Sequence, residues 1–122
     1  MSDFLANQAA ILIDMKKCRI RIHKTTLKNM GKPEYIQLLV NPDNRRIAIC
    51  SADKNTSQVH RIVWSRIVDN SFELYSKYLI EKLNEVGIDW NPEGSYRILG
   101  LVLPRKGIAC FNMMDATMIN NS

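Results

Sequence analysis

Between residues 16 and 24 the chain reads KKCRIRIHK, and from Lys17 onward cationic and apolar side chains alternate. Lys17, Arg19, Arg21 and His23 share one parity, and Cys18, Ile20 and Ile22 share the other. A strand repeats every two residues, so this spacing predicts one basic face and one core face. A row of guanidinium and ammonium groups holds phosphate oxygens by charge and by directed N–H donors, which is the chemistry of polyanion binding. Lys16, Lys24 and Lys28 extend the row, and residues 15–33 carry seven Lys/Arg and no acid. A merely solvated face usually mixes signs to limit repulsion. Phosphate contacts would supply affinity here, with Arg19 or Arg21 as the candidates for base edges.

Other chemistries find less support. Cys18, Cys50 and Cys110 are far apart, form no C-x-x-C pair and have no His at zinc-ligand spacing, so they read as reduced, buried small hydrophobes, and neither metal nor cofactor is expected. Ser/His/Asp signatures, Gly-rich phosphate loops and G-x-G-x-x-G are absent from the sequence. Glu81, Glu85 and Asp89, spaced by four, read as the wet face of an amphipathic helix rather than as paired catalytic carboxylates, and His23 and His60 as structural or surface residues. Neither an enzyme nor a small-molecule substrate is indicated.

The 122 residues suit one domain or two small units sharing a core, and 46% hydrophobic with 24% charged residues is a globular balance. No apolar run reaches membrane-span length and the N-terminus lacks a signal-peptide layout, so a soluble cytoplasmic protein without membrane contact is expected. The net charge of +5 is unevenly placed. Residues 1–61 hold 11 Lys/Arg against 5 Asp/Glu, and residues 62–122 hold 6 against 7. The positive field therefore belongs to the first half.

The elements that must position the basic residues follow from local pattern. A short helix begun at Ser2 or Asp3 is one reading of the N-terminus. AILID reads as a strand, MKK as a turn and Cys18–His23 as the returning strand. TTLKNMG reads as a short helix with Thr25 as its cap, Leu27 and Met30 on one face and Gly31 in the left-handed closing position. YIQLLV and RRIAIC form a hairpin through NPDN. SADKNTSQ is a linker and VHRIVWSRIV a further strand. FELYS is followed by a helix capped by Ser76 and ended by Gly87, and then by a hairpin turning at PRKG. Arg45 and Arg46 at the first hairpin tip, and Arg105 and Lys106 at the second, are a possible extension of the footprint.

The order strand, helix, hairpin thus occurs twice. Tyr35 and Tyr96 each precede an Ile-Ala pair by 12 residues, Ile47-Ala48 and Ile108-Ala109. An internal duplication is expected, with residues 1–54 as a basic first unit and 55–122 as a neutral to acidic second unit.

Residues 11–49, ILIDMKKCRIRIHKTTLKNMGKPEYIQLLVNPDNRRIAI, resemble the AbrB/SpoVT swapped-hairpin family. Asp14 falls at the turn aspartate, Arg19 at the basic residue opening the second strand, Met30 and Gly31 at the helix end and Ile47 in the last strand. His23 stands where the family commonly has proline, one extra residue separates Asp14 from Arg19, and the helix arginine pair is reduced to Lys28 beside Leu27. The tandem plan is similar to that of the MraZ family. The resemblance implies duplex-DNA binding through the first hairpin and helix start, a transcription regulator or antitoxin-like role, interleaved half-barrels that usually form a homodimer, and in antitoxins a toxin-like protein partner. The expected fold is α+β and β-rich, with two tandem AbrB-like strand–helix–hairpin units packed as one pseudo-symmetric small barrel. The competing expectation is a protein-interaction or oligomerisation module without nucleic acid, seated on Trp64, Trp90 or the Met-rich FNMMDATM.

Overall fold

Strand β1, Gln8–Asp14, alternates as its sequence demands: Ala9, Ile11 and Ile13 are buried, while Ala10 and Leu12 are half-exposed on the other face. The computed structural model describes residues 8–67, 69–86 and 89–119. The expected helix at Ser2 or Asp3 lies outside the described residues, as does Gly87. After β1 the chain reverses over 15–18. Asp14 Oδ1 accepts the Lys17 N–H at 3.2 Å, and Cys18 takes a left-handed φ of +53°. That left-handed residue ends the sequence alternation early, so β2 is Arg19–His23 and Lys17 belongs to the turn. Ile20 and Ile22 are fully buried, and Arg19, Arg21 and His23 face the other way.

Helix α1 is Lys24–Asn29, capped by His23 rather than Thr25, because it starts two residues earlier than expected. His23 Nδ1 accepts the Thr25 N–H at 3.2 Å. Thr26 is buried, and its hydroxyl accepts from the Ala10 N–H at 2.9 Å, tying the helix to β1. Gly31, at φ +96°, closes the helix as its sequence predicts: the Gly31 N–H bonds the Lys28 carbonyl, and the Lys32 N–H bonds that of Leu27.

Strands β3, Tyr35–Asn41, and β4, Arg46–Ala52, form the expected hairpin. The run VHRIVWSRIV is corrected: only β5, His60–Arg61, pairs, with Ile36 and Tyr35 of β3. Trp64–Arg66 then leave the sheet in a 3₁₀ turn, drawn down by Trp64, whose indole N–H donates to the Pro33 carbonyl at 3.3 Å. Val68 lies outside the described residues. Strand β6, Ser71–Tyr75, leads into helix α2, Lys77–Glu85, where Ser76 caps the Leu79 N–H as expected. Strands β7, Ser95–Leu103, and β8, Ile108–Asn112, make the second hairpin, and β9 is Thr117–Ile119.

The nine strands of the described residues join one antiparallel sheet, curled as a half-barrel, in the order β5-β3-β4-β8-β7-β1-β2-β6, with β9 beside the start of β7. Inward side chains such as Ile13, Ile20, Ile22, Ile98, Val102 and Phe111 make one core with Leu27 of α1 and Leu79, Ile80 and Leu83 of α2. The fold is thus β-rich α+β. The matched Ile-Ala pairs do not coincide in it. Ile47 is buried and Ala48 half-exposed, whereas Ile108 is half-exposed and Ala109 buried. A one-residue offset in a strand moves every side chain to the opposite face, so the 12-residue spacing is not a structural equivalence.

The cysteines are free thiols and none is buried. Cys18 sits in the turn against the core edge, and Cys50 and Cys110 stand half-exposed on outward positions of β4 and β8. Their parity, rather than their apolar setting in sequence, decides this. Burial, with a smaller contribution from Cys110 nearby, raises the Cys50 thiol above its ordinary pKa and keeps it protonated.

Candidate polyanion interface

The expected basic residues lie along β2 and at its two ends. Lys16 and Lys17 are exposed in the turn before it; Lys24 is half-exposed and Lys28 exposed on the helix after it. Five residues of strand separate the two lysine pairs, a line of about 17 Å. None of these four lysines makes an ion pair among the described residues.

The arginines between them are engaged. Arg19 binds Asp14 at 3.2 Å and approaches Glu73 at 3.9 Å, and its side chain is 19% exposed. Arg21 Nε donates to Glu73 Oε2 at 3.0 Å, and the Tyr75 hydroxyl donates to the other Glu73 oxygen at 3.1 Å. β2 pairs with β6 in the register Arg21↔Glu73, so the acid-free segment of the sequence receives its acid from 52 residues away. Local sequence contains no signal for this. Glu73 is pushed up by desolvation, but the Tyr75 hydroxyl, Arg21 and Arg19 outweigh that and hold the carboxyl below the usual range. At neutral pH it is therefore charged and cancels part of the field on this face.

The register adds a basic residue that the sequence pattern passed over. Arg97 on β7 pairs with Leu12, which pairs with Arg21, so one outward row runs Arg97, Leu12, Arg21, Glu73. Arg97 is exposed and makes no ion pair among the described residues. The hairpin tips lie at opposite ends of the β4–β8 pair. Arg45, whose guanidinium touches the Met114 sulfur at 3.8 Å, has its carbonyl bound by Met113 N–H. Gly107, beside Arg105 and Lys106, bonds Ser51 and lies near the Met30 carbonyl. Arg105 and Lys106 thus belong to the tip near the C-terminal end of α1, while Arg45 and Arg46 stand at the far end of the β4–β8 pair.

No group of three or more His, Cys, Asp or Glu among the described residues is placed to hold a metal. Trp64 and Trp90 pack half-buried against the core, Trp90 stacked on Tyr96 at 4.4 Å, while Met114 and Met118 are exposed. No described helix is long and apolar enough to cross a membrane.

His60, on the short β5, has its pKa lowered by burial. The unfolded chain therefore takes up a proton first as pH falls. The contribution is complete above about pH 6.5, the unfolded value, and is lost as pH drops toward the folded pKa. Urea midpoints measured near pH 7.5 and 5.5 should fall on acidification, and His60→Gln should flatten that fall; an unchanged slope in the variant would refute the assignment.

Comparison with known proteins finds no match: no family model fits the chain, no curated protein matches its sequence, and no solved structure matches its fold.

Proposed function

We propose that this chain is a non-enzymatic DNA-binding protein, a transcription regulator or antitoxin-like factor that grips duplex phosphates along β2. The observation that carries the reading is the placement of Lys16, Lys17, Lys24 and Lys28 at both ends of that strand, with no ion pair among the described residues. Unpaired lysines release counterions when they meet phosphates, which supplies affinity without sequence recognition. Arg19 and Arg21 are held in fixed directions by Asp14 and Glu73. That suits positioned contacts more than bulk attraction.

The AbrB-like tandem plan belongs to the same proposal. The run β5-β3-β4-β8-β7-β1 reads the same when β1 exchanges with β5, β3 with β7 and β4 with β8, and the pair β2-β6 maps onto itself. The pairing Arg21↔Glu73 lies at the middle of the β2–β6 contact, with Ile20 opposite Leu74 and Ile22 opposite Phe72, as a two-fold exchange of β2 with β6 requires. This order supports two interleaved units better than the Ile-Ala spacing does.

The testing experiment is a mobility-shift titration of random duplex and single-stranded DNA between about 50 and 200 mM salt. Duplex binding that weakens steeply with salt is expected. Arg19→Ala with Arg21→Ala should weaken it about tenfold and lower the salt slope by about one to two. Absent binding at low salt, or binding indifferent to salt, would sink the reading.

A specific observation favours association as a second reading. The outward row Leu39, Ala48, Cys110, Leu101 crosses four adjacent strands, with Leu99 and Leu103 also exposed on β7. An apolar stripe of this kind fits a homodimer or a toxin-like partner. Sedimentation of the free protein at two concentrations separates a dimer from a monomer.

A further inference from the structure

Above Leu12 and Ala10 the outer face of the sheet sinks into a basin of about 170 Å³, edged by Arg21, His23, Ser71 and Arg97. The two arginines flank Leu12 in one cross-strand row, so their backbones stand two strand spacings apart, about 10 Å. That gap lets two guanidinium groups close on one tetrahedral anion, while the small Ala10 and the apolar Leu12 leave the floor open. His23 and Ser71 pair in the neighbouring row.

Two of the four donors are set by a bond within the protein. Glu73 takes the Nε–H of Arg21, which leaves the two terminal nitrogens of that guanidinium for other acceptors. His23 accepts the Thr25 N–H at Nδ1, so the ring carries its proton on Nε2 and presents a donor there. Arg97 has no competing carboxylate among the described residues, and the Ser71 hydroxyl completes the edge. No acid lines the basin.

From this arrangement we infer that the basin between Arg21, Arg97, His23 and Ser71 is a discrete binding site for a phosphate group. It deepens the polyanion reading proposed above by giving it a fixed contact. Arg97, from the second half of the chain, is as much a part of it as Arg21. Two sources present the same chemistry: a backbone phosphate of a nucleic acid, and the phosphate of a small ester.

The test uses the full chain with inorganic phosphate as the probe, followed by NMR of the His23 ring and the arginine Nε–H signals. Saturable shifts confined to the basin are expected. Arg97→Gln should weaken them at least about tenfold, as loss of one of two charge-assisted partners implies, while Arg66→Gln, a change of the same charge at an exposed residue outside the basin, leaves them intact. Shifts spread evenly over the surface lysines, or equal phosphate binding by Arg97→Gln with its melting curve unchanged, would overturn the inference.

A titration with duplex DNA then separates the sources. If Arg97→Gln lowers duplex affinity more than Arg66→Gln does, the natural occupant is a backbone phosphate. Confined phosphate shifts together with duplex affinity indifferent to Arg97 identify a small phosphate ester. Confined shifts with no duplex binding at all would keep this site and remove the DNA-binding proposal, whereas duplex binding without them would do the reverse.

Discussion

Gly100→Ala is expected to cost about 3 kcal/mol of folding stability, the upper part of the range for overpacking a filled core. Gly100 sits on β7 opposite Phe111 of β8. A Cβ there would run into the Cys110 carbonyl oxygen and stand 2.7 Å from Phe111 Cδ1. A side-chain tip can swing aside, but a ladder carbonyl cannot move without giving up the β7–β8 pairing, and Phe111 is fully buried. The useful control is Gly31→Ala, where φ is +96° but nothing lies within 4 Å. It meets only the left-handed backbone penalty, about 1–2 kcal/mol. Urea unfolding of both variants measures the difference. A Gly100→Ala chain as stable as Gly31→Ala would show that β7 and β8 do not approach as closely as described.

The second large effect is on binding. Replacing Lys16, Lys17, Lys24 and Lys28 together by Gln should reduce duplex affinity about 100-fold or more at low salt. The slope of log affinity against log salt should fall by about three to four, since each phosphate contact contributes about 0.9. Folding should change by no more than about 0.5 kcal/mol, because none of these lysines makes an ion pair among the described residues and three of the four are exposed. This effect exceeds that of the arginine pair for a structural reason. The guanidinium groups of Arg19 and Arg21 already face carboxylates, so their removal also removes compensation, whereas the lysine charges have no described counterpart. An unchanged salt slope in the quadruple variant would place the contact surface elsewhere. The Arg46 tip and the Arg105 and Lys106 tip are the next candidates, and they lie at opposite ends of the β4–β8 pair.

Much of the local structure was legible because it is settled within a few residues. The buried parity of Ile20 and Ile22, the left-handed stop at Gly31, the cap at Ser76 and both hairpins all follow from side-chain period and turn chemistry. The misreadings were of another kind. The strand expected through VHRIVWSRIV stops at Arg61, and Trp64 bonds to Pro33, 31 residues away. The two Ile-Ala pairs match in spacing but face opposite ways.

The candidate site divides along the same line. By itself, the sequence determined that a strand would carry Arg19, Arg21 and His23 on one face and that a short helix bearing Lys28 would follow directly. Alternation and capping need only neighbouring residues. Only the tertiary structure decided what stands across from that face: Glu73 against Arg21 on one side, and Arg97 beyond Leu12 on the other. Those neighbours come from distant parts of the chain, and their register is set by which side chains the core must bury. The charge of the segment was therefore readable in advance. Its pairing is only in part local: Asp14 meets Arg19 within the first hairpin, whereas Glu73 reaches Arg21 only when the sheet brings β6 alongside β2.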